Sequence, residues 1–308
     1  TPLFIPSVSS TLDRDWRRTV SVLATSPATK GNPILISAFD VYSAKKLPKQ
    51  LAAFQAVVLD SGGYEARKLQ RPWSRPRFSR TLGRVSADIT VGFDGDGLKK
   101  LTIAQQFEDQ LWALERVPAG GLRTLLLHLD TDYNVDKTTD LLQNHATQYD
   151  IIGLTEHTLG VSFDQRVRRL HEFRLALDAR GIIRPIHLFG TDHPLSIVMY
   201  SLAGADLFDG LTWATDFIDA ESLSRHDISH HALCSRFEAF ASQCGGRNDD
   251  AMTRGLLLEW NLIELKTLLA EIKKAILDDD VQEIFVRLRR HPFEHKAMEL
   301  LQEMANGR

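Results

Sequence analysis

Short apolar runs alternate with amphipathic segments over the first two thirds of the chain. The runs are rich in strand-forming aliphatic residues, and several of the segments between them carry apolar residues at the three- and four-residue spacing of a helix. This alternation predicts βα units and a parallel sheet. The predicted strands are Leu3–Val8, Pro33–Phe39, Ala56–Leu59, Asp88–Phe93, Arg123–Leu129, Ile151–Leu154, Ile186–Phe189 and Leu207–Leu211, and the predicted helices are Thr102–Arg116, Phe163–Ala179 and Leu195–Ala203. Eight such runs indicate an α/β fold, a (β/α)8 barrel of the TIM type.

The alternation stops after about Ser222, where a different pattern begins. The segments Met252–Leu277, Val281–Leu288 and Glu294–Met304 have the pattern of helices. No repeat, low-complexity tract or long linker separates them from the preceding part of the chain. We therefore predict a catalytic barrel over residues 1–221 and a helical extension over residues 222–308 that packs on the barrel.

Composition narrows the class of protein that this chain can form. Apolar residues make up 43% and charged residues 25% of the 308 positions, so the chain can bury a core without disulfides or metals. It has two cysteines, and neither a signal peptide nor an apolar run of about 18 residues is visible. We expect a soluble, cytoplasmic protein with no membrane partner.

A net charge of -3 excludes the uniformly basic balance of a protein that coats nucleic acid, so any such contact must be local. The segment from Arg67 to Arg84 is the best candidate, because it contains no acidic residue and includes Trp73 and Phe78, which suit base stacking. Its Pro72 and Pro76 argue against helical order. We predict nucleic-acid contacts from Arg75, Arg77 and Arg80, although a solvated basic loop would explain the same pattern.

Two acidic residues end predicted strands. Asp60 follows the run Val57–Leu59 and precedes a hydroxyl and paired glycines, and Asp209 precedes Gly210 near the end of the last predicted strand. Either one alone would be explained by a turn. Because the carboxyl ends of barrel strands converge on one mouth, the pair predicts a site with two carboxyl groups.

The motifs around these acids resemble those of the tRNA-guanine transglycosylase superfamily, which replaces guanine with a 7-deazaguanine base. LDSGGYE at 59–65 and GADLFDG at 204–210 look like its signature. In matching order come SADITVGFDGD at 86–96, YDIIGLTEHTLG at 149–160, HLFGTDHP at 187–194 and the late helix from Glu259 to Ile276. The resemblance thus runs from about residue 33 to 276.

The resemblance implies a role for each matching residue. Asp209 would be the nucleophile that attacks C1′ of the nucleoside, and Asp60 the general acid/base that serves the leaving and incoming bases. Two carboxyl groups suit this reaction, since one can trap the positively charged sugar covalently while the other moves the proton. The residues implied or considered as base-binding are Ser61, Gly62, Gly63, Asp94, Asp130, Glu156 and Gly190.

The sequence departs from the superfamily pattern at the structural zinc site and in a loop that bears on the choice of nucleic acid. The CxCxxC cluster of its structural zinc site is missing, and Trp260 stands where the later histidine is expected. A site built from His226, His230, His231, Cys234 and Cys244 lacks the tight paired spacing of zinc ligands. We therefore expect no zinc and no other cofactor.

The loop after Asp209, from Trp213 to Glu221, is acidic where tRNA-modifying members are basic, and 149 positions separate the two acids. Both features resemble the DNA-modifying branch, which inserts 7-cyano-7-deazaguanine. Our first interpretation is a DNA-guanine transglycosylase, which could need a helper protein to open the duplex. The alternatives are a tRNA-guanine enzyme with a lost zinc site, a non-catalytic partner subunit and a nucleosidase that releases the base by hydrolysis.

Overall fold

A computed structural model describes residues 2–12, 16–26, 31–95, 101–129, 133–244 and 250–306. Within these ranges eight parallel strands form a closed barrel in chain order, and the eighth pairs with the first. The strands are β1 Leu3–Val8, β2 Pro33–Ser37, β3 Ala56–Asp60, β4 Ile89–Val91, β5 Leu122–Leu127, β6 Ile151–Thr155, β7 Ile186–Phe189 and β8 Leu207–Gly210. The predicted (β/α)8 barrel is confirmed, with strand ends within two residues of the predicted ones.

The barrel interior explains why these runs are apolar at nearly every position. Strands β2, β6 and β7 are buried along their whole length, as expected when helices cover the outer face of a parallel sheet and side chains fill the inner one. One interior cluster consists of Ile5, Leu35, Val58, Val91, Leu126 and Phe189. Because side chains alternate along a strand, the residues two positions later face the same interior, nearer the mouth. They include Ser7, Ser37, Asp60 and His128.

Helices follow most of the strands and cover the barrel. They are α1 Trp16–Thr25, α2 Ala38–Ser43, α3 Gly63–Lys68, α4 Arg75–Leu82, α5 Ile103–Leu114, α6 Val135–Asn144, α7 Phe163–Ala179, α8 Pro194–Leu202, α9 Ser235–Gln243, α10 Asp250–Leu277, α11 Gln282–Leu288 and α12 Glu294–Asn306. Helix α7 has the predicted bounds, because Val167, Leu170 and Leu177 form a fully buried stripe. In the described parts of the chain, none of the helices combines the length and apolar character needed to cross a bilayer.

The basic segment differs from its prediction in two respects. Pro76 lies in the first turn of α4, where a proline is tolerated, so the segment contains a helix after all. Trp73 and Phe78 are buried, and the Trp73 indole donates a hydrogen bond to the Ser61 carbonyl oxygen at 2.9 Å. The interpretation of these two rings as stacking platforms for bases was therefore wrong, since their role is to pack the segment onto the barrel.

An antiparallel hairpin follows the barrel, where the sequence pattern indicated only a loop. Its strands are β9 Asp216–Asp219 and β10 Ser224–Asp227. The pattern missed β10 because all its residues are polar. The hairpin straddles the boundary between residues 221 and 222, and that boundary stays a prediction.

Helix α10 joins the extension to the barrel by contacting β1, α8 and β9. Its Leu265 and Ile272 are fully buried in the main core. Next to them Asn261 holds the chain that follows β8: its amide nitrogen donates to the carbonyl oxygens of Trp213 and Asp216, both at 2.7 Å. Its carbonyl oxygen accepts from the Ile218 amide at 2.9 Å.

We expect Asn261→Ala to lower the free energy of unfolding by about 2–4 kcal/mol, because it leaves buried backbone groups without partners. Asn144→Ala, at an exposed position on α6, should change it by no more than about 0.5 kcal/mol. Urea unfolding of both variants measures the difference. Equal stabilities would show that Asn261 does not hold this segment.

Candidate active site

A cavity of about 790 Å³ opens at the carboxyl ends of the barrel strands. It is large enough for a nucleoside and lies where barrels place their active sites. Of the residues predicted from sequence, Asp60, Ser61, Asp94, Glu156, Gly190 and Asp209 line it. The predicted base-binding residue Asp130 lies outside the described residues.

Asp209 is a buried carboxylate held by two donors. The Ser7 hydroxyl donates to Oδ2 at 2.7 Å, and Nε2 of His187 lies 3.1 Å from Oδ1. The pairing of β1 with β8, which sets Ile5 opposite Asp209, brings Ser7 within reach. A carboxyl group with a polar partner at each oxygen is fixed in direction, as a nucleophile must be.

Asp60 has different surroundings. It is half-buried at the end of β3, and burial, together with the negative charges of Glu65, Asp94 and Asp209, raises its pKa well above the usual range for a carboxyl group. This shift favours the protonated acid. One cavity therefore contains a carboxyl group suited to donate a proton and another suited to attack, which is how paired carboxyl groups divide their roles.

Glu65 adds a buried acid that the sequence prediction did not single out. Its two carboxyl oxygens accept hydrogen bonds from the hydroxyls of Ser9 and Ser37, both at 2.7 Å. Burial, and then the nearby Asp40, raise the pKa of Glu65 to about 7. Its position in LDSGGYE could have identified it, because a Glu in the first helical turn after a strand-end Asp lies close to the same barrel mouth.

Asp94 lies against the glycine turn after Asp60. A Cβ atom on Gly63 would collide with the carboxyl group of Asp94, so the glycine leaves the space that this group occupies. Gly62 adopts a φ of 85°, a conformation in which a side chain is strained. Among the described residues Oδ1 of Asp94 has no hydrogen-bond partner, while Oδ2 lies 3.6 Å from His128 Nε2. A buried acceptor without a donor suits the N–H edge of a guanine-type base.

Glu156, one of the residues considered as base-binding, accepts hydrogen bonds from neighbouring side chains on both carboxyl oxygens. Tyr200 and Arg166 both donate to its Oε1 at 3.0 Å, and Thr191 donates to Oε2 at 3.2 Å. The Glu156 side chain therefore links α7, α8 and the segment after β7 at the mouth of the cavity. Gly190 is exposed, with a φ of 82°. Contacts of either residue with a base remain predictions.

Aromatic rings on the cavity wall were also missed. Tyr64 is 42% exposed at the start of α3, and Phe189 forms part of the interior layer, where the ring of His187 stacks on it at 3.8 Å. A flat base can pack against such faces. Their apolar or helical context in the sequence gave no sign of this, because core aromatic residues have the same pattern.

The three arginines predicted to contact nucleic acid have different surroundings. Arg75 forms an ion pair with Asp109 and lies over the Trp112 ring, while Arg77 donates to the Pro72 carbonyl oxygen. Arg80 is exposed on α4. The absence of acidic residues from the segment itself did not reveal Asp109, which belongs to the neighbouring helix α5.

The residues weighed for zinc do not fit a metal site. In the described residues, no group of three or more His, Cys, Asp and Glu side chains has an arrangement that could hold a metal ion. Instead, Trp260 stacks on Phe217 with ring centroids 6.1 Å apart, and Phe237 meets Trp260 edge-on at 5.7 Å. The absence of zinc stays a prediction.

The acidic loop after Asp209 carries less unpaired charge than its sequence indicates. Asp216 pairs with Arg225 at 2.9 Å, and Arg236 lies 3.2 Å from Asp219 and 3.3 Å from Glu221. The cavity residue Asp192 fixes the start of this loop by accepting from the Trp213 amide at 2.9 Å and from Arg225 at 2.8 Å.

Curated proteins share part of this sequence, although no protein-family model matches it. The tRNA-guanine(15) transglycosylase of Haloferax volcanii is 32% identical over 120 residues, 36% of this chain and 23% of that protein. The enzyme of the same name from Methanopyrus kandleri is 31% identical over 133 residues, 39% of this chain and 28% of that protein. The chain thus spans about a quarter of the length of these relatives. Over this part, the chain is similar to tRNA-guanine(15) transglycosylases, in agreement with the resemblance that the motifs indicated.

The buried acid at position 65 should make the stability of the protein depend on pH. A group whose pKa is 4.5 when unfolded and about 7 when folded holds its proton more tightly in the folded state, so its contribution to stability falls as pH rises between these values. In Glu65→Gln this contribution disappears. The difference in unfolding free energy between parent and variant should change by up to about 3 kcal/mol between about pH 4.5 and about pH 8.

Urea unfolding at several pH values measures this change. Glu115→Gln is the matched control, because Glu115 is mostly exposed and the substitution should leave the parent's pH dependence unchanged. A Glu65→Gln variant with the same pH dependence as the parent would contradict a raised pKa for Glu65.

Proposed function

We propose that the chain is a nucleic-acid guanine transglycosylase that exchanges guanine for a 7-deazaguanine base through a covalent aspartyl-nucleoside intermediate. The observation that carries the proposal is the contrast between Asp209, clamped as an acceptor by Ser7 and His187, and Asp60, whose surroundings favour the protonated acid. The partial similarity to tRNA-guanine(15) transglycosylases supports the same chemistry.

In the first half-reaction an oxygen of Asp209 forms a bond to C1′ as the glycosidic bond breaks. The electron pair of that bond leaves with guanine, and Asp60 supplies the proton that neutralises the departing base. The incoming base then returns a proton to Asp60, attacks C1′ and displaces the carboxylate. No bond energy is lost to water, so the exchange needs no ATP and no other cofactor.

The cavity has features that suit a guanine-type base. The unpartnered Oδ1 of Asp94 can accept from the base edge, and Tyr64 and Phe189 offer flat apolar faces. Ser61 lines the cavity beside Asp60. Gly62 and Gly63 are buried behind it, and we propose that they serve the base indirectly, by leaving room for Asp94 and for the turn after β3. The 7-cyano group of 7-cyano-7-deazaguanine carries no charge, so it would add none to a cavity already rich in carboxyl groups.

DNA is our first proposal for the polymer. The loop from Trp213 to Glu221 contains no lysine or arginine, and the spacing of 149 positions between the acids is compact. The target nucleotide must be flipped out of its stack before C1′ can reach Asp209, and a helper protein that opens the duplex would lower that cost. Transfer RNA is the alternative, favoured by the names of the curated relatives.

Labelled guanine tests the activity and the polymer together. We expect the parent to incorporate label into single-stranded DNA, more slowly into duplex DNA, and not into tRNA. Asp209→Ala should lower incorporation roughly 1,000-fold or more because the nucleophile is gone, and Asp60→Asn should also abolish turnover. Asp178→Ala, exposed on α7, is the matched control and should keep the parental rate.

Each other outcome has a definite meaning. Incorporation into tRNA alone would establish the alternative polymer. Release of guanine from a polymer without incorporation of label would indicate a nucleosidase. No activity in the parent with any polymer would favour a non-catalytic partner subunit, and substantial activity in Asp209→Ala would refute the assigned nucleophile.

The rim of basic residues offers a separate test of DNA binding. We expect the triple substitution of Arg75, Arg77 and Arg80 by Gln to weaken binding and reduce its salt dependence. Arg80→Gln alone should account for most of this loss, about one phosphate contact, because the other two arginines already contact their own protein. Binding isotherms at two salt concentrations measure it. Unaltered affinity in the triple variant would exclude this surface.

A further inference from the structure

His187 lies behind the proposed nucleophile and faces the barrel interior. It is 1% exposed, on β7, and its ring stacks on Phe189 with centroids 3.8 Å apart. The stacking and the surrounding strands fix the plane of the imidazole. Nε2 of this ring lies 3.1 Å from Oδ1 of Asp209.

The direction of this hydrogen bond follows from its partner. An ionised carboxylate can only accept, so the proton of the bond belongs to Nε2 of His187. The Ser7 hydroxyl donates a hydrogen bond to the other carboxyl oxygen, Oδ2, at 2.7 Å. Each carboxylate oxygen keeps a further lone pair, so the two donors orient Asp209 without preventing attack.

The charge on Asp209 changes during the proposed exchange, and the strength of these bonds changes with it. When Asp209 attacks C1′, the carboxylate becomes a neutral ester and the departing base takes the electron pair of the broken bond. When the incoming base attacks C1′, the ester bond breaks, its electron pair returns to Asp209 and the carboxylate is restored. A donor on Oδ1 binds the carboxylate more strongly than the ester, because hydrogen bonds to charged groups are the stronger ones.

We infer that His187 is a positioning residue that holds Asp209 for attack and stabilises it as the leaving group when the covalent intermediate breaks down. This inference rests on the proposed function. It assigns His187 a role separate from that of Asp60, which acts on the base. Without this donor, the free carboxylate loses stability relative to the ester, so the enzyme should accumulate in the covalent form.

The experiment compares His187→Leu, which removes the donor, with His187→Gln, whose amide can place an N–H near the position of Nε2. The probes are labelled guanine and, in parallel, an end-labelled guanine-containing single-stranded DNA oligonucleotide and a tRNA transcript. We expect His187→Leu to lower kcat more than it raises KM and to increase the ratio of covalent adduct to free enzyme about tenfold or more on denaturing gels. His187→Gln should return both quantities to within a few fold of the parent.

His145→Leu is the control for loss of a half-buried histidine away from the cavity, and it should leave kcat and the adduct ratio unchanged. Near-ultraviolet circular dichroism checks that the variants are folded. A folded His187→Leu variant with the parental adduct ratio would overturn the inference, as would His187→Gln that is no better than His187→Leu. If the parent itself neither incorporates guanine nor forms an adduct with either polymer, the proposed function fails and the inference fails with it.

Discussion

Closure of the barrel between β1 and β8 is the constraint on which the site depends. The pairing that sets Ile5 opposite Asp209 fixes which side chains share the mouth. An apolar layer fills the interior below, so the next residues along the strands project into the partly enclosed cavity at the barrel mouth. In such a place, carboxyl groups interact with one another more strongly than they would at a surface.

This arrangement carries an energetic cost, because buried carboxyl groups are destabilising unless they are hydrogen-bonded or protonated. The protein meets the cost differently at each acid. Two hydroxyl groups donate hydrogen bonds to Glu65. Asp209 has a hydroxyl and an imidazole as hydrogen-bond partners. For Asp60, a raised pKa favours the neutral form. Oδ1 of Asp94 has no hydrogen-bond partner among the described residues, and under the proposed function a bound base would supply its donor.

The barrel and its two principal acids could be predicted from sequence because they produce local signals. Apolar runs of strand length mark the strands, and an acid beside glycines marks a strand end. His187 could not be predicted in the same way. It lies inside an apolar strand, and its partner is 22 positions away in sequence, so only the barrel's register brings the two together. Hairpin strand β10 was missed because all its residues are polar. The buried state of Trp73 was missed because it depends on contacts with Phe39 and Ser61, which only the folded chain brings together.

The charge of a segment, counted from its sequence, was the least dependable guide to nucleic-acid binding. The loop after Asp209 shows why. Its acids argue against docking of a polyanion when the sequence is considered alone, but Arg225 and Arg236 pair with Asp216, Asp219 and Glu221 in the folded protein. Those arginines come later in the chain, on β10 and α9. Repulsion from this loop is therefore weaker than its composition indicates. The case for DNA then depends on the loop's lack of basic residues to bind tRNA and on the compact spacing of the two acids.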